Sequence, residues 1–483
     1  MSSRYQHLYQ QLREAINLGH YQPGQRLPAS RVLAKEQGVS RNTVVRAYEM
    51  LVSEGYLTSH IGDGMRVSHD LPHQPWLPTP HIPASTTEPV WSDYGQRLNQ
   101  ISQASQRDFE QWFAQADIGI DFQYGQVTMG ETMALQWRRL AAKWSRLQSE
   151  AYGDPQGLPA LREALAAHLS TYRGCRSHAD NMVIGSSAQQ LFTVLLNIAL
   201  GPNDTVVIEE PWYQRFKDLL VLNHIHTISV PVDNEGLCLN TLHERTIAQG
   251  IVPKLIYVTP SHQFPAGVVM SLQRRLALLD WCAQHECWVI EDDYVSEFRY
   301  SGPPIDALQS LDQHGRVLYL GTTSKAICPS LRIAYGLLPT PWIPKVKLAI
   351  QISHRHASWM EQHMLAECIS EGIYVSHIRR QRRRYESQRS LLVEQLLKHF
   401  GDDIEIQGES AGLHILVWFK HYTRQQQAPL LQALAQQGVA VYPIDYLYTQ
   451  ASTQLGLLMG YATLEHAQII EGVDILQKTL KHF

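Results

Sequence analysis

The chain has 483 residues, 44% of them hydrophobic and 18% charged, and a net charge of −4. That length predicts two or three domains rather than one core, and no apolar run approaches the roughly 18 residues of a membrane span. The polar stretch Met1 to Leu8 lacks a signal peptide's apolar core, and the six cysteines show no CxxC spacing, so a disulfide scaffold is excluded and a cytoplasmic protein is expected.

Charge is unevenly placed. Residues 1–68 hold eight Lys/Arg against five Asp/Glu, a net +3, which leaves −7 for the rest of a chain whose total is −4. A basic head on an acidic body is the asymmetry expected when only the head meets nucleic acid. The 23 histidines raise the question of metal, but pairs such as His224/His226 and His354/His356 lack helical zinc spacing or a cysteine partner. No metal is expected.

In the head, Leu27-Pro28-Ala29-Ser30-Arg31 places a proline and a serine in cap-like positions before a short helix. Gln37-Gly38-Val39-Ser40 then makes a turn, and Ser40 caps a second helix. Arg41, Asn42, Thr43 and Arg46 are polar on that helix, while Val44, Ala47, Tyr48 and Leu51 form its apolar side. Short donors and acceptors at a helix start suit base edges and phosphates of a major groove; in isolation a solvated helix face is the favoured account of Arg41 and Arg46. Glu54-Gly55-Tyr56-Leu57-Thr58, the Gly62/Gly64 turn and Met65–Val67 fit a hairpin wing. Taken in order, LPASR, GVSRNTV, AYEML, EGYL and GDG resemble the winged helix-turn-helix of the GntR superfamily over residues 1–68. The resemblance implies DNA contacts at Arg31, Ser40, Arg41, Asn42, Thr43, Arg46 and Gly62.

Residues 69–112 read as a linker, with prolines at 72, 75, 78, 80, 83 and 89 favouring extended backbone. Beyond it, apolar runs at Thr205–Ile208, Leu255–Val258, Trp288–Ile290 and Val317–Leu320 alternate with amphipathic helices. Runs apolar on both faces predict a mostly parallel sheet covered on both sides, an α/β body over 113–483. Gly185-Ser186-Ser187-Ala188 precedes the apolar helix Leu191–Leu200, where backbone N–H groups can meet a phosphate. Glu210-Pro211-Trp212-Tyr213 and Ser261-His262-Gln263-Phe264-Pro265 follow strand ends, the place where ligands of open α/β sheets gather. Glu291-Asp292-Asp293-Tyr294 and Gly321-Thr322-Thr323-Ser324-Lys325 also end strands, with Arg332 seven residues beyond the lysine. A lysine in an apolar pocket can become an imine-forming nucleophile, and a nearby arginine can clamp a phosphate.

These segments resemble fold-type I pyridoxal-phosphate (PLP) enzymes of the aspartate aminotransferase superfamily, with a small C-terminal α+β subdomain expected near 341–483. Tyr152-Gly153-Asp154-Pro155-Gln156-Gly157, the EDDY and SEFRY segments and GTTSK with CPSLRIAYG make the whole chain resemble the MocR/GabR family of regulators. The resemblance implies PLP as cofactor, Lys325 as its Schiff-base lysine and Asp292 as partner of the pyridine nitrogen. It implies Tyr294 on the ring hydroxyl, Tyr213 stacked on the ring, and Ser187, Ala188, Thr322, Ser324 and Arg332 around the phosphate. Tyr152 would reach the phosphate of a neighbouring subunit, hence a homodimer, and Arg215 would hold a ligand. The expected function is a PLP-dependent transcription regulator that binds promoter DNA and senses an amine, an amino acid or PLP itself; an active aminotransferase is the alternative. Efficient transamination is not expected, because the second carboxylate-binding arginine of aminotransferases falls at Leu458 and no arginine follows Arg424. Two further departures stand out. Phe264 occupies the place of an asparagine, and Ser187 that of a glycine, which leaves the phosphate loop's backbone path open. The run Arg379, Arg380, Arg382, Arg383 and Arg384 fits either a solvated helix face or a second DNA surface.

Overall fold

The computed structural model of the protein describes residues 4–60, 64–72, 89–105, 108–147, 151–302, 305–450 and 452–483. The chain forms two units, Met1–Val90 and Trp91–Phe483.

The first unit has helices α1 (Arg4–Asn17), α2 (Ser30–Glu36) and α3 (Arg41–Ser53) and an antiparallel hairpin of β1 (Leu57–His60) and β2 (Gly64–Val67). Leu8, Ile16, Val44, Ala47, Leu51, Leu57 and Val67 close one small core. The apolar side of α3 is therefore the one its helical spacing predicts. Ser40 caps α3, its Oγ accepting from the Thr43 N–H at 3.2 Å. Ser30, in contrast, is the first residue of α2 rather than its cap; the preceding Ala29 offers no side-chain bond. Tyr48 donates to the Pro28 carbonyl at 2.8 Å instead, tying the two helices together. The wing turn, with Gly62, lies outside the described residues.

Part of the stretch expected as linker is helical: α4 (Asp93–Ser105) and α5 (Asp108–Gln115). No proline follows Pro89 there, so nothing breaks the backbone ladder. Arg97 fastens α4 to the body by donating to the Leu222 carbonyl at 2.9 Å.

The body's main sheet comprises β3 (Met182–Gly185), β4 (Thr205–Glu210), β5 (His226–Asp233), β6 (Gly236–Leu237), β7 (Leu255–Val258), β8 (Trp288–Asp293), β9 (Val317–Thr322) and β10 (Ala334–Leu337). Their spatial order is β3-β10-β9-β8-β7-β4-β5-β6. The five strands β9, β8, β7, β4 and β5 run parallel, and β10 lies antiparallel between β3 and β9. Every residue of β7 and β9 is buried, as a sheet covered on both faces requires. Flanking helices include α6 (Pro159–Arg173), α7 (Ala188–Ala199) and α8 (Gln214–Leu222).

The long helix α9 (Ile373–Phe400) precedes a second, antiparallel sheet of β11 (Ile404–Gln407), β12 (His414–Thr423), β13 (Tyr442–Pro443) and β14 (Gln454–Gly460), in the order β11-β12-β14-β13. Among the described residues no helix is long and apolar enough to cross a membrane, and no group of three or more His, Cys, Asp or Glu side chains could hold a metal.

Candidate functional site

The carboxyl ends of β4, β7, β8 and β9 converge on a cavity of about 400 Å³. Lys325, Asp292, Tyr294, Tyr213, Arg215, Ser187, Ala188, Thr322, Ser324 and Arg332 all line it. Residues spread over nearly 150 positions of sequence thus meet at one strand-end crevice.

Strand alternation sorts the acidic run of β8. Successive side chains point to opposite faces, so Glu291 and Asp293 turn away from Asp292. Glu291 accepts from the Leu308 and Gln309 N–H groups, both at 2.8 Å. Asp293 pairs with Arg173 at 2.8 Å and accepts from the Tyr319 hydroxyl at 2.7 Å. Asp292 alone faces the cavity, where the Tyr257 hydroxyl donates to it at 2.6 Å. Burial pushes its carboxyl up to about 7, although the Tyr257 bond and the Lys325 charge pull the other way. A buried carboxylate whose ionised form is so poorly stabilised is suited to a cationic N–H partner.

Lys325 follows β9, and its Nζ donates to the Gly125 carbonyl. Burial draws the amine below its ordinary value, against the opposing charge of Asp292. That is the direction in which a lysine gains nucleophilic free base. Gly125, at φ +72°, makes the approach possible: a Cβ there would stand 2.9 Å from the lysine nitrogen.

Two segments shape the opposite end. Ser187 caps α7, its Oγ accepting from the Gln190 N–H at 3.1 Å. Its φ of −173° is extended backbone, which any residue adopts, so the serine in place of glycine leaves the loop's path intact. Arg332 sits at φ 54°, and its guanidinium has no hydrogen-bond or ion-pair partner among the described residues. A helix start and a free guanidinium facing one cavity form an anion cradle.

Phe264 closes the wall between these ends. Its ring lies 5.7 Å from Tyr124 and from Tyr213 and 5.6 Å from His414. An aromatic partition thus stands where a polar donor was missing. The Tyr294 hydroxyl is fully buried with no partner among the described residues.

These residues fit PLP. Asp292 suits the protonated pyridine nitrogen, the partnerless Tyr294 hydroxyl the ring oxygen, and Tyr213 the ring face. Arg332, the α7 start and the Thr322 and Ser324 hydroxyls suit the phosphate. When bound, the cofactor supplies an electron sink for an amine's α-carbon.

Other expected residues lie elsewhere. Tyr152 is exposed, 6.1 Å from the His356 ring, and does not line this cavity. Arg215 lines it but is largely exposed, 3.6 Å from Asp218. Leu458 is fully buried on β14, in the core with Trp212, Ile444 and Leu447. In the head, Arg31, Arg41, Asn42 and Arg46 are exposed. Arg46 stands 5.1 Å over the Tyr5 ring.

Sequence reasoning missed Tyr124, Gly125, Tyr257 and His414. Tyr257 carried a usable signal, an aromatic within an apolar strand two residues before its turn. Tyr124, Gly125 and His414 lie in no local pattern.

The comparisons agree with this geometry. Residues 4–67 match the family described as "Bacterial regulatory proteins, gntR family", and residues 120–474 match "Aminotransferase class I and II". The "Uncharacterized HTH-type transcriptional regulator YdeL" of Bacillus subtilis is 33% identical, covering 99% of this chain and 96% of its own. The "Probable rhizopine catabolism regulatory protein MocR" of Rhizobium meliloti is 31% identical over 97% of this chain and 92% of its own. A crystal structure of Pyrococcus horikoshii kynurenine aminotransferase superposes with a TM-score of 0.71 at 25% identity, covering 81% of this chain and 97% of that one. The chain therefore belongs to the MocR/GabR family, transcription regulators in which a GntR-type DNA-binding head is joined to a PLP-dependent, aminotransferase-like body.

Proposed function

We propose that the body is a sensor rather than an efficient transaminase, and that a small amine, an amino acid or PLP itself sets how a cytoplasmic homodimer holds its promoter. In this reading residues 1–68 read DNA through Arg31, Ser40, Arg41, Asn42, Thr43, Arg46 and Gly62. The body, 113–483 with its small subdomain from about 341, attaches the cofactor at Lys325. Asp292 keeps the ring nitrogen protonated, Tyr294 donates to the ring oxygen, and Tyr213 covers the ring. Ser187, Ala188, Thr322, Ser324 and Arg332 hold the phosphate, and Tyr152 reaches the site of the neighbouring subunit. Arg215 receives the effector's acidic group.

One observation carries the sensor reading. The arginines among the cavity's described lining are Arg215 and Arg332, while Leu458, in the second arginine's place, is core. With Arg332 on the phosphate, a single arginine remains for an amino acid's carboxylate. Two candidate replacements within the chain are engaged outside the cavity lining: Lys347 pairs with Asp154 at 2.8 Å and Arg355 stands 5.3 Å over Tyr152; a cation from the partner subunit is the alternative that would restore the clamp. A loosely held carboxylate leaves the α-carbon proton poorly aimed at Lys325, and misorientation alone can cost about 100-fold in rate.

The test is a single-turnover reaction of the PLP-loaded protein with a panel of amino acids and amines, following conversion of the cofactor to its amine form. Spectral change without keto-acid product, accompanied by altered DNA affinity, is expected. Conversion within seconds for a common amino acid would overturn the sensor reading. Borohydride should trap the cofactor on Lys325, and a Lys325→Ala protein that is still labelled would refute the attachment.

A further inference from the structure

Beside the cofactor cavity, with Val295 in the lining of both, lies a second cavity of about 520 Å³ that the cofactor reading leaves unused. One side comes from α6 and the segment after β8, the other from α9 of the C-terminal part. Four arginines line it: Arg173, Arg299, Arg379 and Arg382. Their surroundings differ in a telling way.

Arg173 and Arg382 are committed. Arg173 pairs with Asp293 and donates to the Ser261 hydroxyl at 2.7 Å, and Arg382 donates twice to the Glu297 carbonyl, at 3.0 and 2.7 Å. Arg299 and Arg379 are not. Nε and Nη1 of Arg299 are buried from water and find no partner among the described residues. A buried donor left without a partner is destabilising, and more so when it is charged. Arg379, also without a partner among the described residues, is exposed at the cavity's edge. His262 is 2% exposed, and neither of its ring nitrogens has a partner among the described residues.

The local acids do not cancel this charge. Asp293 is matched by Arg173. Burial pushes Glu297 up to about 7, so its carboxyl is in part neutral near neutrality. Two guanidinium groups are left over, in a chamber of the size that small organic ligands fill. An oxyanion is the group that satisfies guanidinium donors best.

We propose that this chamber is a second small-molecule site, taking an organic anion whose carboxylate or phosphate group rests on Arg299 and Arg379, with His262 meeting a polar group at the inner end. Val295 lines both cavities, and the His262 ring lies 5.8 Å from that of His414, which lines the Lys325 cavity. An occupant therefore bears on the wall that the cofactor cavity shares.

The experiment uses the full-length, PLP-loaded protein, whose cofactor already fills the phosphate cradle, and titrates it calorimetrically with inorganic phosphate or succinate. Saturable binding of at least one probe is expected, and which one binds distinguishes phosphate from carboxylate. Arg299→Gln and Arg379→Gln should each weaken that binding by ~10-fold or more, as loss of a charge-assisted bond implies, with the visible cofactor band unchanged. Arg379 is exposed and unpaired, so its variant keeps the test valid should Arg299→Gln misfold. Saturable binding of neither probe overturns the site, as does binding that both variants leave intact.

Discussion

Two helix starts in this protein share a design and differ in their surroundings. In the head, Ser40 caps α3 by accepting from the Thr43 N–H; in the body, Ser187 caps α7 by accepting from the Gln190 N–H. Each leaves the first turn's N–H groups and positive dipole end open to an anion. Around Ser40 the neighbours Arg41 and Asn42 are exposed, so a DNA phosphate met there stays in water and remains sensitive to salt. Ser187, by contrast, is half-buried and lines the cavity with Phe264 and Tyr213, where charges are screened less. In the proposed reading, the same local chemistry would serve a partner that must come and go, and a cofactor that stays.

The largest effect that sharpens this contrast is expected at Asp292. Burial pushes its carboxyl up to about 7, so the folded, cofactor-free state should hold the proton more tightly than the unfolded chain. The stabilisation is complete below the ordinary carboxylate range and is lost as pH rises through about 7. Melting of the cofactor-free protein should therefore fall from pH 5 to pH 8, and Asp292→Asn should remove a few kcal/mol of that fall. Glu209, Glu291 and Glu297, raised to about 7, 6 and 7 by burial, keep the rest. If the variant's stability falls as steeply as the parent's, Asp292 is not the burdened group.

A smaller effect is expected in the head. Arg41→Ala should weaken operator binding by roughly 1–3 kcal/mol if the guanidinium reads a guanine edge, and should relax preference at that base alone. Measured against salt, uniform weakening on every sequence with a shallower salt slope would instead make Arg41 a phosphate contact.

Smallest are the caps themselves. Ser40→Ala and Ser187→Ala should each destabilise by ~1 kcal/mol, read as melting temperature. The exposed and enclosed ends part in binding. Ser187→Ala should also raise the dissociation constant for PLP, whereas Ser40→Ala should leave cofactor affinity untouched. Equal PLP affinity in both variants would break the parallel.

How much of this was legible in sequence follows from how local each signal is. Ser40, Ser187, Asp292 and Lys325 stand in short motifs at element boundaries, where caps, turns and strand ends carry their own residue preferences. The strands were legible because residues buried on both faces make unbroken apolar runs. Tyr124, Gly125 and His414 were not, because their roles arise only where distant segments meet. Helix α4 was read as linker on the strength of prolines that all precede it, and its anchoring bond from Arg97 to Leu222 spans 125 positions. The second cavity has the same character: it takes α6, the segment after β8 and α9 to bring Arg173, Arg299 and Arg379 together.

The backbone of Arg332 has a consequence beyond binding geometry. A non-glycine residue in the left-handed region costs roughly 1–2 kcal/mol, and here it aims a guanidinium that no other described group satisfies. If the cofactor's phosphate rests there, as proposed, it returns part of the deficit, and the cofactor would count among the forces that keep the chain folded. A ligand at a hundredfold excess over its dissociation constant adds about 2.7 kcal/mol to stability. Marginal proteins are cleared by proteases when they open. Cellular abundance of this regulator should therefore track the supply of the vitamin-derived cofactor, with a shortage registering first as a shorter protein lifetime.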